Sequence, residues 1–86
     1  MNTWEIAILK IISGRGKASL KELYEKINQH IELNENHFVE KYGVPTYHHQ
    51  IRAHISDLQD KGHVKNVKRG IYAITEEGIT RIKFSN

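Results

Sequence analysis

TYHHQIRAHISDLQDKGHVKNVKRGIYAIT, residues Thr46–Thr75, is the stretch that decides the fold. Tyr47, Ile51, Ile55 and Leu58 fall on one side of a helical projection, while Thr46, His49, Gln50, Ala53, Ser56, Asp57 and Asp60 face away and Arg52 lies on the flank. Lys61-Gly62 gives this helix a basic last turn and a terminating glycine. Val64 and Val67 then sit in an extended basic strand, Arg69-Gly70 marks a turn, and Ile71-Tyr72-Ala73-Ile74 pairs back. An amphipathic helix running straight into a small antiparallel ribbon presents base-reading side chains beside phosphate-seeking ones.

Working outward, Pro45 disfavours helical geometry at Val44, so the helix is expected to start at or just after Thr46, with Thr46 as its cap. Residues 32–45 have an interrupted pattern. The expectation there is a short helix near Glu35 to Lys41, packed by Phe38 and Val39. Further back, Ser19 with Glu22 forms a capping-box signature ahead of a helix from about Leu20 to His30, whose inner face is Leu20, Leu23, Tyr24, Ile27 and Ile31. Lys17-Ala18 suggests a very short strand. Trp4, Ala7, Ile8, Ile11 and Ile12 predict a first helix over residues 3–12 with one buried stripe, stopped by Ser13-Gly14-Arg15-Gly16. At the other end, Thr75 with Glu76-Glu77 caps a last short helix holding Ile79 and Ile82. The sum is a mostly helical α+β fold: a winged helix-turn-helix of three to five helices with a two- to three-stranded antiparallel wing.

Eighty-six residues make one domain, 1–86, because so short a chain buries only roughly 60–65% of its unfolded surface and cannot divide that core. With no cysteine, neither a disulfide framework nor a thiolate zinc site is available, which suits a reducing cytoplasm. The longest apolar run is too short for a membrane span, and the start lacks the basic-then-apolar order of a signal peptide, so a soluble cytoplasmic chain is expected. The net charge of +3 is unevenly placed. Residues 1–45 carry six basic and six acidic side chains, residues 46–86 seven and four, and Lys61 to Arg69 hold four cations with no acid.

Once helix, ribbon and closing Ile74-Thr75-Glu76-Glu77-Gly78 are read in order, the chain resembles the N-terminal winged-helix domain of the Mrr family of restriction endonucleases over nearly its whole length. The matching features are the early Ile-Leu stripe, the helix start Ser19-Leu20-Lys21-Glu22-Leu23, the helix end Leu58-Gln59-Asp60-Lys61-Gly62, and above all the stretch from Lys68-Arg69-Gly70 to Gly78. Where that family tends to have Asn-Arg near the start of the recognition helix, this chain has His49 and Gln50, a departure that bears on base preference. The family's following nuclease domain is not within these residues. The resemblance therefore implies either the recognition module of a larger modification-dependent nuclease or a free-standing relative.

His49, Gln50, Arg52, Ala53 and Ser56 are the candidate base-reading set: Gln pairs with adenine, Arg with guanine, and Ala packs on a thymine methyl. Thr46, His48, Lys65, Lys68, Arg69 and Lys17 are the candidate phosphate contacts, with Arg15 near Lys17. Against these stands the plain reading of a solvated polar helix face. Six histidines raise metal binding, but His49 and His54 are five apart and His48 and His49 diverge, so no metal or other cofactor is expected. No Ser-His-acid order and no glycine-rich loop after a strand supports catalysis, and the acids read as caps and solvating charges. Trp4, Tyr47 and Tyr72 read as core aromatics. The expected partner is double-stranded DNA, with or without a modified base, bound by a homodimer or by a fusion to a nuclease domain. The alternatives are a small transcriptional regulator and a protein-interaction module using the same helix.

Overall fold

The computed structural model describes residues 3–84. Helix α1 runs Thr3–Arg15, one turn beyond the expected stop. The Ser13 hydroxyl donates to the Lys10 carbonyl, and the left-handed turn that ends the helix comes only at Gly16, with φ +81°. Nor is α1 a one-stripe helix. Glu5, Ile6, Ala7, Ile8 and Leu9 are buried in succession, with Ile12 a turn further on, which is the pattern of a helix covered on most of its circumference. Its neighbours are α2 (Leu20–Lys26), α4 (Thr46–Asp60), α5 (Glu76–Lys83) and the sheet.

Strand β1 (Lys17–Ser19) leads directly into α2 through the expected capping box. The Glu22 amide donates to Ser19 Oγ at 3.1 Å, and the Ser19 amide donates to the Glu22 carboxylate at 3.4 Å. A single 3-10 turn, Ile27–Gln29, finishes this helix.

Residues 30–45 depart from expectation. Helix α3 spans only Glu35–Phe38, and Val39 is already extended. The chain then turns back as a two-stranded hairpin, β2 (Glu40–Lys41) against β3 (Val44–Pro45), with Glu40 opposite Pro45 and Lys41 opposite Val44. Phe38 and Val39 do not pack the segment inward: they are 56% and 59% exposed, and the Phe38 ring meets that of Tyr47 in a T-shaped contact, centroids 5.6 Å apart. The hairpin removes the backbone from helical register before these side chains can reach the core.

Helix α4 places Ile51, Ile55 and Leu58 in the interior, as its periodicity predicts. Thr46 is not its cap. Pro45 occupies that position without a side-chain bond, and both Thr46 donors, its amide and its hydroxyl, go to the Val39 carbonyl at 2.9 and 2.6 Å. Strands β4 (Val64–Lys68) and β5 (Ile71–Ile74) form the ribbon, with a bulge between Asn66 and Lys68. The Asn66 amide donates across the turn to the Lys68 and Ile71 carbonyls, fixing its shape. Because β1 pairs with the free edge of β5, the sheet order is β1-β5-β4 and the wing is three-stranded.

Helix α5 is capped by Thr75, whose hydroxyl accepts from the Gly78 amide at 3.2 Å. Ile82 packs on the core, whereas Ile79 stays largely exposed. The central cluster joins Ala7, Ile8, Leu9 and Ile12 to Ala18, Leu23, Ile27, Ile51, Ile55, Leu58 and Val64, with Trp4, Tyr47 and Tyr72 at its margin. This is the mostly helical α+β arrangement of a winged helix-turn-helix, enlarged between its second helix and α4.

Candidate nucleic-acid interface

The basic side chains divide into those consumed inside the fold and those left free. Glu5, expected among solvating acids, is instead 1% exposed. Arg81 Nη1 and Lys61 Nζ both reach its Oε1, at 2.6 and 2.9 Å, and His54 Nδ1 stands 3.5 Å from its Oε2. Burial by itself would raise the Glu5 pKa. The hydrogen bonds and charges of Arg81 and Lys61 outweigh it and hold the carboxyl below its ordinary value. Lys61 is therefore withdrawn from the cationic run that the sequence suggested, and Arg15 is likewise paired, at 3.1 Å, with Glu22.

Lys17, Arg52, Lys65, Lys68 and Arg69 are exposed, and among the described residues none has an ion-pair or hydrogen-bond partner from its side chain. Lys17 and Lys65 both register against Ala73, one from each side of β5. Directly opposed residues share a face, so their side chains flank a small residue at a separation of roughly two strand spacings, about 9–10 Å. The adjoining row, Ala18 and Tyr72, turns inward, with Ala18 buried.

Along α4 the outward residues sort by what they already hold. Ala53 and Ser56 are exposed, and Gln50 is half-buried. His49 Nε2 lies 2.6 Å from the Lys41 carbonyl, and its ring meets the edge of Tyr42, so it ties the hairpin to the first turn of α4. His48 is stacked flat on Tyr24, centroids 3.8 Å apart, with Tyr47 edge-on at 4.4 Å. Burial, then the Arg52 and His49 charges, holds the His48 pKa below its ordinary value, which disfavours the charged ring that a phosphate contact would use. Tyr24 lies within electrostatic reach of Arg52, Tyr72 and Tyr47; burial raises its pKa despite the Arg52 charge, so the phenol is a neutral partner to that flank. His63 is held low in the same way, first by burial and then by Arg81 and Lys61.

Glu5, His54 and Asp57 bring ligand atoms within 4.8 Å of one another, a grouping that the histidine spacings did not reveal because it joins α1 to α4. The Glu5 carboxylate is already committed to two cations, which gives the group a positive surround unsuited to a metal ion. Among the described residues, no helix is long and apolar enough to cross a membrane.

Comparison with known proteins gives a family match: the model of the Mrr N-terminal domain aligns with residues 2–83. Neither the curated proteins nor the solved structures contain a match.

Proposed function

The chain belongs to the Mrr N-terminal domain family, the N-terminal module of a restriction endonuclease, and on that footing we propose that it binds double-stranded DNA as the target-recognition part of a modification-dependent restriction system. The observation that carries this reading is the set of cations Lys17, Arg52, Lys65, Lys68 and Arg69, exposed and without an ion-pair or hydrogen-bond partner among the described residues, on the wing and on a helix whose Ala53 and Ser56 are also exposed. Lys61 and Arg81 are committed to the buried Glu5 and Arg15 to a surface pair with Glu22. Lys10, Lys21, Lys26, Lys41 and Lys83 are also unpaired among the described residues, so it is the placement of Lys17, Arg52, Lys65, Lys68 and Arg69 on the wing and on α4 that suits an external polyanion.

In this reading α4 enters the major groove. Gln50, Arg52, Ala53 and Ser56 approach base edges, and Arg52, unencumbered on its flank, makes the principal bidentate contact. His49 acts through the hairpin that it holds. Lys65, Lys68, Arg69 and Lys17 take phosphates from the wing. Thr46 and His48, whose donors and ring are already engaged, position the helix instead of touching DNA. The domain reads and does no chemistry by itself.

A gel-shift comparison of unmodified, methylated and hydroxymethylated duplexes at two salt concentrations tests the proposal. Arg52→Ala is expected to weaken specific binding by about 1–3 kcal/mol. Equal loss on every duplex would make Arg52 a phosphate contact, and failure of the wild-type chain to retard any duplex would remove the proposal.

A further inference from the structure

In a helix-turn-helix the two helices are usually joined by a turn of about 3–4 residues. Here residues 30–45 carry α3 and the β2–β3 hairpin in that place. Tyr42, at the hairpin tip, is 88% exposed, the most open large apolar side chain among the described residues. It also adopts a left-handed conformation, φ +56°, followed by Gly43 at φ +85°. A two-residue turn with both central residues at positive φ is ordinarily made by Asn-Gly or Asp-Gly, which fit at lower cost than a bulky ring. The turn thus holds an aromatic ring out in solvent at a position where a small polar residue would fold better.

The tip is not loose. Two bonds from Thr46 to the Val39 carbonyl fix the base of the hairpin to the start of α4, and His49 Nε2 at the Lys41 carbonyl fixes its far strand. The Tyr42 ring lies 6.0 Å from the His49 ring, on the leading turn of α4, with Lys41 Nζ 5.8 Å over its own centroid. Whatever groove receives that turn receives Tyr42 and Lys41 with it.

Resting on the DNA-binding reading above, we propose that the hairpin Glu40–Pro45 is a second reading element. Tyr42 enters the major groove alongside the first turn of α4 and packs on the 5-methyl edge of a thymine, and Lys41 takes an adjacent phosphate. Duplex DNA is the occupant that this patch fits, because a single rigid ring beside a cation and continuous with the helix face matches a groove better than a broad protein surface. Phe38, the other exposed ring of the segment, is turned instead onto Tyr47.

The test uses mixed-sequence duplexes in which 5-iodouracil, close to thymine in shape, replaces it, with irradiation of the retarded complex and mapping of the cross-linked peptide. Cross-linking to Tyr42 is expected. Tyr42→Asn, which suits the left-handed position and so preserves the turn, should abolish that cross-link and weaken binding roughly four- to tenfold, on the scale of one or two buried methyl equivalents. Its advantage for thymine over uracil duplexes should shrink likewise. If duplexes are retarded but cross-links fall only on other residues, or Tyr42→Asn binds as tightly as wild type, the hairpin inference is overturned while the DNA-binding reading stands. Concentration-dependent self-association of the free chain that is lost in Tyr42→Asn would assign the patch to a second copy and also overturn it. If no duplex is retarded, both readings fall together.

Discussion

Glu5→Gln removes one charge and keeps the shape, so it isolates what the buried carboxylate contributes. In the native fold Glu5 joins α1 to the end of α4 through Lys61 and to α5 through Arg81, at 2.9 and 2.6 Å. Breaking a fully buried pair typically costs about 3–5 kcal/mol, because the partner is left charged and dry. The partners here are not fully dry: the Lys61 side chain is 49% exposed and that of Arg81 21%. Lys61 can rehydrate almost freely and Arg81 in part, which brings the expected cost to about 2–3 kcal/mol. For a chain of this size that corresponds to a fall in melting temperature of roughly 10–20 °C.

Urea denaturation of the wild type and Glu5→Gln, with Arg15→Ala as the exposed-pair reference, measures this. Arg15→Ala breaks a solvent-facing ion pair and should cost no more than about 0.5 kcal/mol. The pH dependence carries the sign. The Glu5 pKa is lower folded than unfolded, so its contribution is present above the unfolded value near 4.5 and is lost as pH falls through the lower folded value. The gap between wild type and Glu5→Gln should therefore be full at neutral pH and close only below about 4.5. A Glu5→Gln variant that costs no more than Arg15→Ala, or a gap that does not change in acid, would refute the assignment of Glu5 as the electrostatic tie.

Removing both wing-tip cations, Lys68→Ala with Arg69→Ala, should flatten the salt dependence of DNA binding by about 0.9 per lost phosphate contact, read as log K against log salt; an unchanged slope would take the wing tip out of the interface. Gly78→Ala should destabilise by about 2–4 kcal/mol in urea unfolding, although alanine is the better helix former. The added Cβ would stand 2.2 Å from the His63 carbonyl oxygen and 2.8 Å from Ile74 Cγ1, and a gain in stability would show that this backbone can move aside.

The elements that were legible in the sequence are those whose determinants lie close together along the chain. The Ser19–Glu22 capping box, the span of α4 with its Ile51, Ile55 and Leu58 stripe, the glycine stop at Gly62 and the paired strands of the wing all rest on partners within a few residues. What escaped reading depends on distant partners. Glu5 is buried because Lys61 and Arg81 arrive 56 and 76 residues later, and nothing local to Trp4-Glu5-Ile6 distinguishes it from a solvated helix acid. The β2–β3 hairpin was hidden because Tyr42-Gly43 is not an ordinary hairpin turn pair and its strands are two residues each, too short for an alternating pattern to register. His48 was expected to contact a phosphate. Its flat stack on Tyr24 of α2 depends on how two helices cross, which no spacing within α4 encodes. The free cations were identified as a group, but their separation from Lys61 and Arg15 required the carboxylates to be placed.

In the proposed DNA complex, charge on α4 also limits how the helix can lie in the groove. Asp60 projects from the same outward side as His49, Ala53 and Ser56, but on the last turn, where it faces the negative end of the helix dipole and has no cationic partner among the described residues. A phosphate brought near that turn would be repelled, so α4 should enter by its first turns and leave its C-terminal end tilted out of the groove, as recognition helices commonly do. Asp60→Asn removes the repulsion without opening the core. At a separation of about 10 Å in water, one charge pair is worth about 0.4 kcal/mol, so affinity should rise roughly twofold at low salt and the gain should vanish at high salt. Relief of the unfavourable dipole contact should at the same time leave stability equal or slightly higher, by up to about 0.5 kcal/mol. Fluorescence anisotropy titrations at several salt concentrations read the first effect and urea unfolding the second. Weaker binding by a stably folded Asp60→Asn variant would mean that Asp60 accepts a hydrogen bond from a base, for instance a cytosine amino group, and that the C-terminal turn lies deep in the groove. Unchanged binding at every salt concentration would mean that this face of α4 does not approach a polyanion at all.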